Sequence, residues 1–342
     1  MNADILKKTA KEMVAAGKGL LASDESSTTC KKRFDSVGVE CTEENRRQYR
    51  QLQVMAPDLE KYVSGIILHD ETIRQKNDVG ENFAAVLAKR GVLPGIKVDA
   101  GLDDLALHPG EQVTKGLDGL RERLIEYKTF GAMFAKWRAT YVVGQNLPSK
   151  AAIHANAHAM ARYAAYCQEQ TIVPIVEPEV LIDGEHSIEQ CYEATVAAQK
   201  MLFEELKGQD VFLEGTILKA SMVIAGKKAA KQSTPQEVAE WTIKCLKEAV
   251  PANLAGVVFL SGGQGDEQAT ANLDAMNKIG GTPWPLTFSY ARAIQNPALK
   301  LWSEDTKGNV AKAQAALIYR AQMNSLAASG KYESDLETKR PY

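Results

Sequence analysis

Two glutamates end one of the most apolar stretches of the chain. The segment "TIVPIVEPEV" is rich in β-branched residues, which is typical of a buried strand, and it carries Glu177 and Glu179 two residues apart. Side chains alternate between the two faces of a strand, so both carboxylates point the same way. Because ionised groups are costly to bury without partners, the pair predicts cationic side chains on neighbouring strands.

A lysine in a similar apolar setting indicates what these carboxylates could do. Lys219 lies in "TILKASMV", on a predicted central strand. A buried lysine beside a second cation has a lowered pKa and becomes a nucleophilic amine, and Lys136 in "AKWR" could be that cation. Such an amine forms a Schiff base with a ketone or aldehyde, and Glu177 could be the acid and base for the proton transfers. The alternative is that Lys219 only forms a buried structural ion pair.

A glycine-rich loop, "SGGQG" at 261–265, follows another apolar segment. Glycines let backbone N–H groups approach an anion, and phosphate sites of α/β barrels typically form after the seventh and eighth strands. Arg292, which follows the last apolar segment, could add a bidentate contact to a phosphate. The loop therefore predicts a phosphate site, with a plain turn as the alternative.

Charged residues also end or follow most of the other apolar segments. They are Asp24 at the end of the first, His69, Asp70 and Glu71 at the end of the second, Lys97 and Asp99 in the third, and Lys136 and Arg138 in the fourth. Active sites of (β/α)8 barrels lie at the C-terminal ends of the strands, so charges on nearly every strand favour a catalytic centre there. The alternative is an ion-pair network that only closes the barrel.

The elements that must position these residues recur as eight short apolar segments between helical patterns. In chain order the segments are "GKGLLASDE", "VSGIILHDE", "GVLPGIKVD", "GAMFAKWRATY", "TIVPIVEPE", "FLEGTILKASMV", "LAGVVFLSGG" and "PLTFSYAR". Alternating strands and helices indicate a parallel sheet, and eight apolar strands with no marked edge favour a closed α/β barrel of the (β/α)8, or TIM, type. We expect one barrel domain over 1–325 and a flexible polar tail over 326–342.

Composition narrows the functional classes. The 342 residues carry a net charge of -2, which gives no electrostatic argument for binding nucleic acid or an anionic membrane. No apolar run is long enough to span a bilayer, and the start, "MNADILKKTAKEMV", is typical of an amphipathic helix and not of a secretory signal. The five scattered cysteines indicate reduced thiols in a cytoplasmic protein.

His154 and His158 lie four residues apart, but without a third ligand nearby they predict a solvated helix face.

Taken together, the motifs resemble those of class I fructose-1,6-bisphosphate aldolases. The matching segments are "LLASDES", "GIKVD", "AKWR", "PIVEPE", "LK" within "TILKASMV", "FLSGGQ" and "SYAR", in family order from about residue 20 to residue 292. No single motif would suffice, but the set spans most of the chain. In the last motif the family commonly has a glycine where this chain has Ala291.

The resemblance implies a role for each matching residue. It implies that Lys219 is the Schiff-base lysine, that Glu177 is the acid and base of dehydration and C–C cleavage, and that Glu179 is its partner. It implies that Asp24 supports the lysines and the substrate hydroxyls, and that Lys136 assists carbinolamine formation. The residues that it implies for binding the substrate or its phosphates are Lys97, Arg138, Ser26, Ser261, Gly262, Gly263, Ser289 and Arg292. It also implies that Tyr342, on a mobile tail, helps to protonate the enamine.

The expected activity is the reversible cleavage of fructose 1,6-bisphosphate to dihydroxyacetone phosphate and glyceraldehyde 3-phosphate, in glycolysis and gluconeogenesis. We expect no metal and no cofactor, sugar phosphates as the binding partners, and a homo-oligomer, which by the resemblance would be a tetramer. Two alternatives stay open: another Schiff-base barrel enzyme such as a transaldolase, and a catalytically silent scaffold for cytoskeletal or other partners. Loss of Lys219 or Glu177 would have favoured the scaffold, and both are present.

Overall fold

The computed structural model describes residues 1–342, and its centre is a closed barrel of eight parallel strands. All strands, in chain order, are β1 (Gly19–Ser23), β2 (Val63–Leu68), β3 (Leu93–Lys97), β4 (Leu102–Asp104), β5 (Gln112–Thr114), β6 (Phe134–Tyr141), β7 (Val173–Val180), β8 (Ile217–Ala220), β9 (Gly256–Phe259) and β10 (Leu286–Tyr290). The barrel order is β1-β2-β3-β6-β7-β8-β9-β10, and β10 pairs with β1 to close the ring. Each of the eight apolar segments contains or overlaps one barrel strand, which confirms the predicted fold. The antiparallel hairpin β4–β5 was not predicted.

Helices surround the barrel. They are α1 (Ala3–Met13), α2 (Ser27–Asp35), α3 (Glu43–Val54), α4 (Leu59–Tyr62), α5 (Asp70–Arg74), α6 (Phe83–Lys89), α7 (Leu120–Thr129), α8 (Lys150–Glu169), α9 (Ile188–Gly208), α10 (Pro235–Ala249), α11 (Asp266–Ile279), α12 (Arg292–Glu304) and α13 (Val310–Ala327), with short 3₁₀ helices at Leu213–Gly215 and Ser334–Lys339. Local sequence sets where some begin: Ser187 with Gln190, and Thr234 with Glu237, form capping boxes ahead of α9 and α10. Because helices cover their outer faces, every residue of β1, β2 and β7 is buried. None of the helices combines the length and the apolar composition that crossing a membrane would need.

An apolar floor closes the N-terminal end of the barrel. In α1, Leu6 lies against Gly215, just before β8, and Val14 after the helix lies against Gly256 at the start of β9. These side chains join Phe134 and other residues from the barrel strands in one buried cluster. The opposite, C-terminal end of the barrel is left for polar side chains.

The C-terminal residues pack more closely than their sequence suggests. The predicted tail boundary at residue 326 falls inside α13, and Tyr332 belongs to the main apolar core with 5% of its surface exposed. Its N–H donates to Asp274 Oδ1 at 2.9 Å. Farther on, Glu337 pairs at 2.6 Å with the buried guanidinium of Arg320. Tyr332 therefore packs in the core although it lies within the predicted tail, because both its ring and its backbone find partners. The mobility of the last residues stays a prediction.

Candidate active site

Each barrel strand that carries a charge changes from apolar to charged toward its C-terminal end. On β7 the residues that share the inner face are Val173, Ile175, Glu177 and Glu179, and β6 and β8 change in the same way. The charged ends open into a cavity of roughly 730 Å³. Twelve predicted site residues line this cavity: Asp24, Ser26, Lys97, Lys136, Arg138, Glu177, Glu179, Lys219, Ser261, Gly262, Ser289 and Arg292.

A buried carboxylate joins two lysines in this cavity. Glu177 Oε1 lies 3.0 Å from Lys219 Nζ, and Glu177 Oε2 lies 3.3 Å from Lys136 Nζ. Lys136 Nζ also pairs with Asp24 Oδ2 at 2.7 Å. Asp24 has 11% of its side chain exposed, and the other three have 5% or less. The lysines come from β6 and β8, the two strands that flank β7, as the burial of its glutamates had predicted.

Electrostatics fix the charge of three of these groups. Burial alone would raise the pKa of Asp24, but Lys136 and Lys219 hold that pKa well below its usual range. Burial would also raise the pKa of Glu177, yet the two lysines and Arg138 lower it. Burial would lower the pKa of Lys136, whereas Asp24 and Glu177 raise it. At neutral pH the site therefore holds two carboxylates and a Lys136 ammonium.

The pairing distinguishes the two lysines. Lys136 has two carboxylate partners, whereas Lys219 has only Glu177. Lys219 is thus the amine that can pass a proton to a carboxylate and attack an electrophilic carbon, while Lys136 stays a cation that can donate to an oxygen. Glu177 Oε2 makes no hydrogen bond within the protein, so this oxygen can accept and return a proton.

Further polar groups surround the central cluster. Arg138 pairs with Glu179, and Lys97 Nζ lies 2.7 Å from Asp99 Oδ1. Ser26 begins α2, where its hydroxyl accepts a hydrogen bond from the helix backbone. These groups can bind the hydroxyl and phosphate oxygens of a polar substrate.

The loop after β9 brings glycines and a cation to the same cavity. Gly262 and Gly263 have φ values of +56° and +87°, which glycine adopts without strain. Arg292 is exposed at the start of α12 and forms no ion pair with the protein. Ser289 Oγ is buried without a hydrogen-bond partner in the protein. Ala291 has φ -102°, outside the left-handed region, so alanine fits where the family commonly has glycine. The two glycines, the arginine and the serine hydroxyl can together bind an anion.

Two predicted site residues lie outside the cavity lining. Gly263 lies beside Arg292 in the glycine loop but is not itself part of the cavity lining. Tyr342 lines a neighbouring cavity of roughly 560 Å³, which shares Arg292 with the first. The structure thus places the terminal phenol near Arg292 and not in the cavity that contains Lys219.

Some charged residues at a strand end have other partners. Asp70 and Glu71, which follow β2, pair with Arg74 on α5 at 2.9 Å and with Arg46 on α3 at 2.6 Å. His69 caps α5 through its ring. None of the residues after β2 lines the cavity, so a charge at a strand end did not by itself identify a site residue.

A carboxylate on the neighbouring helix lies beside both histidines of α8. Glu205 on α9 lies 3.1 Å from His154 Nε2 and 2.9 Å from His158 Nδ1. α9 packs beside α8 and supplies this carboxylate, while the histidine side chains stay 61% and 46% exposed on the helix surface. No group of three or more His, Cys, Asp or Glu side chains has the arrangement of a metal site, and all five cysteines are free thiols.

The cavity lining also includes residues that were not assigned to the site from sequence, among them the charged Asp99 and Lys32. Asp99 was recognised as a strand-end charge, but its pairing with Lys97 depends on the turn of the chain after β3. Lys32 lies on α2, six residues after Ser26, and reaches the same cavity. Lys32 lies four residues after Thr28, which also lines the cavity, and this helical spacing is the signal that could have indicated it.

Known proteins are similar to this chain over nearly its whole length. Residues 5–341 match the family described as glycolytic fructose-bisphosphate aldolase class-I. A probable class 1 fructose-bisphosphate aldolase of Xanthomonas campestris is 59% identical over 333 residues, which cover 97% of this chain and 100% of that protein. The cytosolic fructose-bisphosphate aldolase 4 of Arabidopsis thaliana is 49% identical over 94% of this chain and 82% of its own. The aldolase of Plasmodium falciparum, solved with TRAP and a small-molecule inhibitor, superposes with a TM-score of 0.95 at 47% identity, covering 97% of this chain and 96% of that one.

Proposed function

The chain belongs to the class I fructose-bisphosphate aldolases, and we propose that it acts through a Schiff base on Lys219. It cleaves fructose 1,6-bisphosphate reversibly to dihydroxyacetone phosphate and glyceraldehyde 3-phosphate, a reaction of glycolysis. The assignment replaces both alternatives, the transaldolase-like enzyme and the silent scaffold. The observation that carries the proposed mechanism is that Glu177 joins Lys219 to Lys136, which Asp24 in turn keeps charged.

The first steps form an iminium ion. Lys219 passes a proton to Glu177, and its Nζ attacks the C2 carbonyl carbon of the open-chain ketose. Lys136 donates a proton to the carbonyl oxygen and recovers one from the new nitrogen, which leaves a neutral carbinolamine. Glu177 then returns its proton to the C2 hydroxyl, and water leaves as the C=N bond of the iminium forms.

The next steps break the C3–C4 bond and release the two products. The iminium accepts the electrons of the C3–C4 bond while a carboxylate, which we assign as Glu177 with Glu179 as its partner, accepts the proton of the C4 hydroxyl. Glyceraldehyde 3-phosphate leaves, and an enamine stays on Lys219. Protonation of the enamine at C3 and addition of water at C2 then release dihydroxyacetone phosphate and restore the free amine.

The rim of the cavity would hold the two phosphates and the hydroxyls. We assign one phosphate to the glycine loop, where backbone N–H groups and a guanidinium can bind it together. We assign the rest of the substrate to the polar groups around β1, β3 and β6. The assigned residues are Ser261, Gly262, Gly263, Ser289 and Arg292 for the first phosphate, and Ser26, Lys97 and Arg138 for the remainder.

Borohydride reduction in the presence of dihydroxyacetone phosphate tests the Schiff base. Reduction should convert the iminium to a stable secondary amine, and peptide mapping should find that label on Lys219. The variant Lys219→Met should lose both the label and the activity, because it lacks the amine. Label on Lys97 or Lys136, with none on Lys219, would overturn the assignment.

We also propose a cytoplasmic location and a homotetramer. The location is supported by the Arabidopsis relative that is named cytosolic. The tetramer rests on the family resemblance alone, and light scattering on the purified chain would measure the assembly directly. A monomeric mass at all concentrations tested would contradict it.

A further inference from the structure

A lysine that the mechanism above does not use lies over the glycine loop. Lys227 follows β8 and is exposed. A Cβ placed on Gly263 would come 2.7 Å from Lys227 Nζ and 3.3 Å from Arg292 Nη2. The two cations therefore approach the same side of Gly263, and the absence of a side chain there leaves room for both.

The backbone at Lys227 is held by the loop that follows β7. Three N–H groups donate across the two loops at 2.9 Å each: Gly226 to the His186 carbonyl, Lys227 to Ile182 and Lys228 to Gly184. A Cβ on Gly226 would overlap the carbonyl oxygen of Gly184, so the loops touch through their backbones. These loops extend from the strands that carry Glu177 and Lys219. The fold thus fixes where the Lys227 side chain begins, while its flexible stem can adjust to a ligand.

The protein provides little negative charge beside this lysine. The one carboxylate beside it, Asp183, lies 3.3 Å away with 74% of its side chain exposed. Such exposed pairs contribute little to stability, so exchanging this partner for a ligand costs little. Arg292, the other cation, has no carboxylate partner at all. Two neighbouring cations beside a glycine loop are the composition of a site for a phosphate dianion.

We propose that Lys227 is a second cation of the phosphate site, where it binds the substrate phosphate together with Arg292 and the glycine loop. The proposal rests on the proposed function, which assigns a phosphate to this loop. Lys227 sets the affinity for phosphorylated ligands and not the rate of the chemical steps, because it lies outside the cluster of Glu177 and the two lysines.

The variant Lys227→Met tests this role with inorganic phosphate as the probe. At constant ionic strength, we expect the inhibition constant of phosphate and the KM for fructose 1,6-bisphosphate to rise about 3- to 10-fold, with kcat changed less than about 2-fold. Lys227→Arg should restore both constants. Lys228→Met removes the same charge from the next residue, which is also exposed, and should leave both constants at wild-type values.

Two outcomes would overturn the role of Lys227. One is an unchanged inhibition constant in Lys227→Met, and the other is an equal effect of Lys228→Met, which would show a general charge effect. The shift in Tm that inorganic phosphate causes gives the same comparison without turnover.

If borohydride does not label Lys219 in the wild type, the Schiff-base proposal fails and the Tm comparison still decides on Lys227. Label on Lys219 with unchanged phosphate affinity in Lys227→Met would overturn the role of Lys227 alone.

Discussion

Glu177 lies between two lysines to which the proposed mechanism gives different roles. Glu177→Gln keeps the shape of the side chain but removes its basicity, so we expect kcat for fructose 1,6-bisphosphate to fall by roughly 10²- to 10⁴-fold. The KM should change less, because the phosphate contacts lie at the glycine loop. Steady-state kinetics measure both constants.

A matched control for this substitution exists elsewhere in the chain. Glu205→Gln makes the same chemical change at a carboxylate that contacts only His154 and His158 on the outer helices, so kcat should stay near the wild-type value. A kcat for Glu177→Gln within about tenfold of wild type would remove Glu177 from the role of acid and base.

Asp24 contributes to stability in a way that depends on pH. Although burial opposes its ionisation, Lys136 and Lys219 make the pKa of Asp24 lower in the folded chain than in the unfolded chain. A lowered pKa stabilises the fold above the unfolded-state value near 4, and this contribution is lost as the pH falls toward the folded-state value. The free energy of unfolding of the wild type minus that of Asp24→Asn should be constant from about pH 7 to 5. Below about pH 4 it should shrink by up to about 1.4 kcal/mol per pH unit.

Denaturant unfolding of both proteins at several pH values measures this difference. Because each comparison is made at one pH, titration of groups that both chains share largely cancels. A difference that is the same at pH 7 and pH 3 would mean that Asp24 is not held ionised by its lysines.

At the scale of elements, one aromatic ring fills the space that a side chain on the neighbouring strand would occupy. A Cβ on Gly95 in β3 would overlap the ring of Phe134 in β6. We therefore expect Gly95→Ala to lower the free energy of unfolding by about 1–3 kcal/mol through overpacking. Gly208→Ala, at the end of α9 where an added Cβ meets no atom within 4 Å, should be neutral or slightly stabilising.

The same measurement can show that the ring is the cause. In a chain with Phe134→Leu, which makes room beside β3, adding Gly95→Ala should cost less than it does in the wild type. Equal costs in the two backgrounds would mean that the glycine is needed for another reason.

Periodicity predicted the long elements more fully than the connections between them. The barrel strands were visible because burial on both faces makes them continuously apolar. The hairpin of β4 and β5 was not, since its strands have three residues each and only one of these six residues is buried. The charges after β2 show the same limit. Asp70 and Glu71 follow a strand, but they pair with arginines on α5 and α3 and do not line the cavity.

At the scale of the whole molecule, barrel closure brings together residues that are far apart in the sequence. The sequence indicated that charges gather at one end of the barrel, but not which would pair. The contact of Asp24 with Lys136 spans the barrel mouth from the end of β1 to β6, two strands that do not pair with each other. The approach of Lys227 to Gly263 could not be predicted, because two irregular loops set it and no repeating pattern marks such loops.

The C-terminal tail ends in the cavity next to the active site. Arg320, fully buried on α13, holds Glu337, and Arg340 contacts Glu267 at 2.7 Å. Tyr342 lies two residues after Arg340. We propose that these contacts anchor the tail while its end stays mobile, so that a small movement past Arg292 brings Tyr342 from the neighbouring cavity to the barrel mouth.

Removing Tyr342 tests whether its phenol protonates the enamine. Burial raises the pKa of Tyr342, although Arg340 opposes the rise, so the phenol keeps a proton to donate at neutral pH. Without the residue, we expect proton exchange at C3 of dihydroxyacetone phosphate to slow by roughly 10²-fold or more, while borohydride still labels Lys219. Tyr342→Phe keeps the ring but lacks the hydroxyl, and should be as slow as the truncated chain if the proton matters. If Tyr342→Phe exchanges at the wild-type rate and only the truncated chain is slow, the ring acts by closing the site against water. Wild-type exchange in both would make the tail a surface element without a part in the reaction.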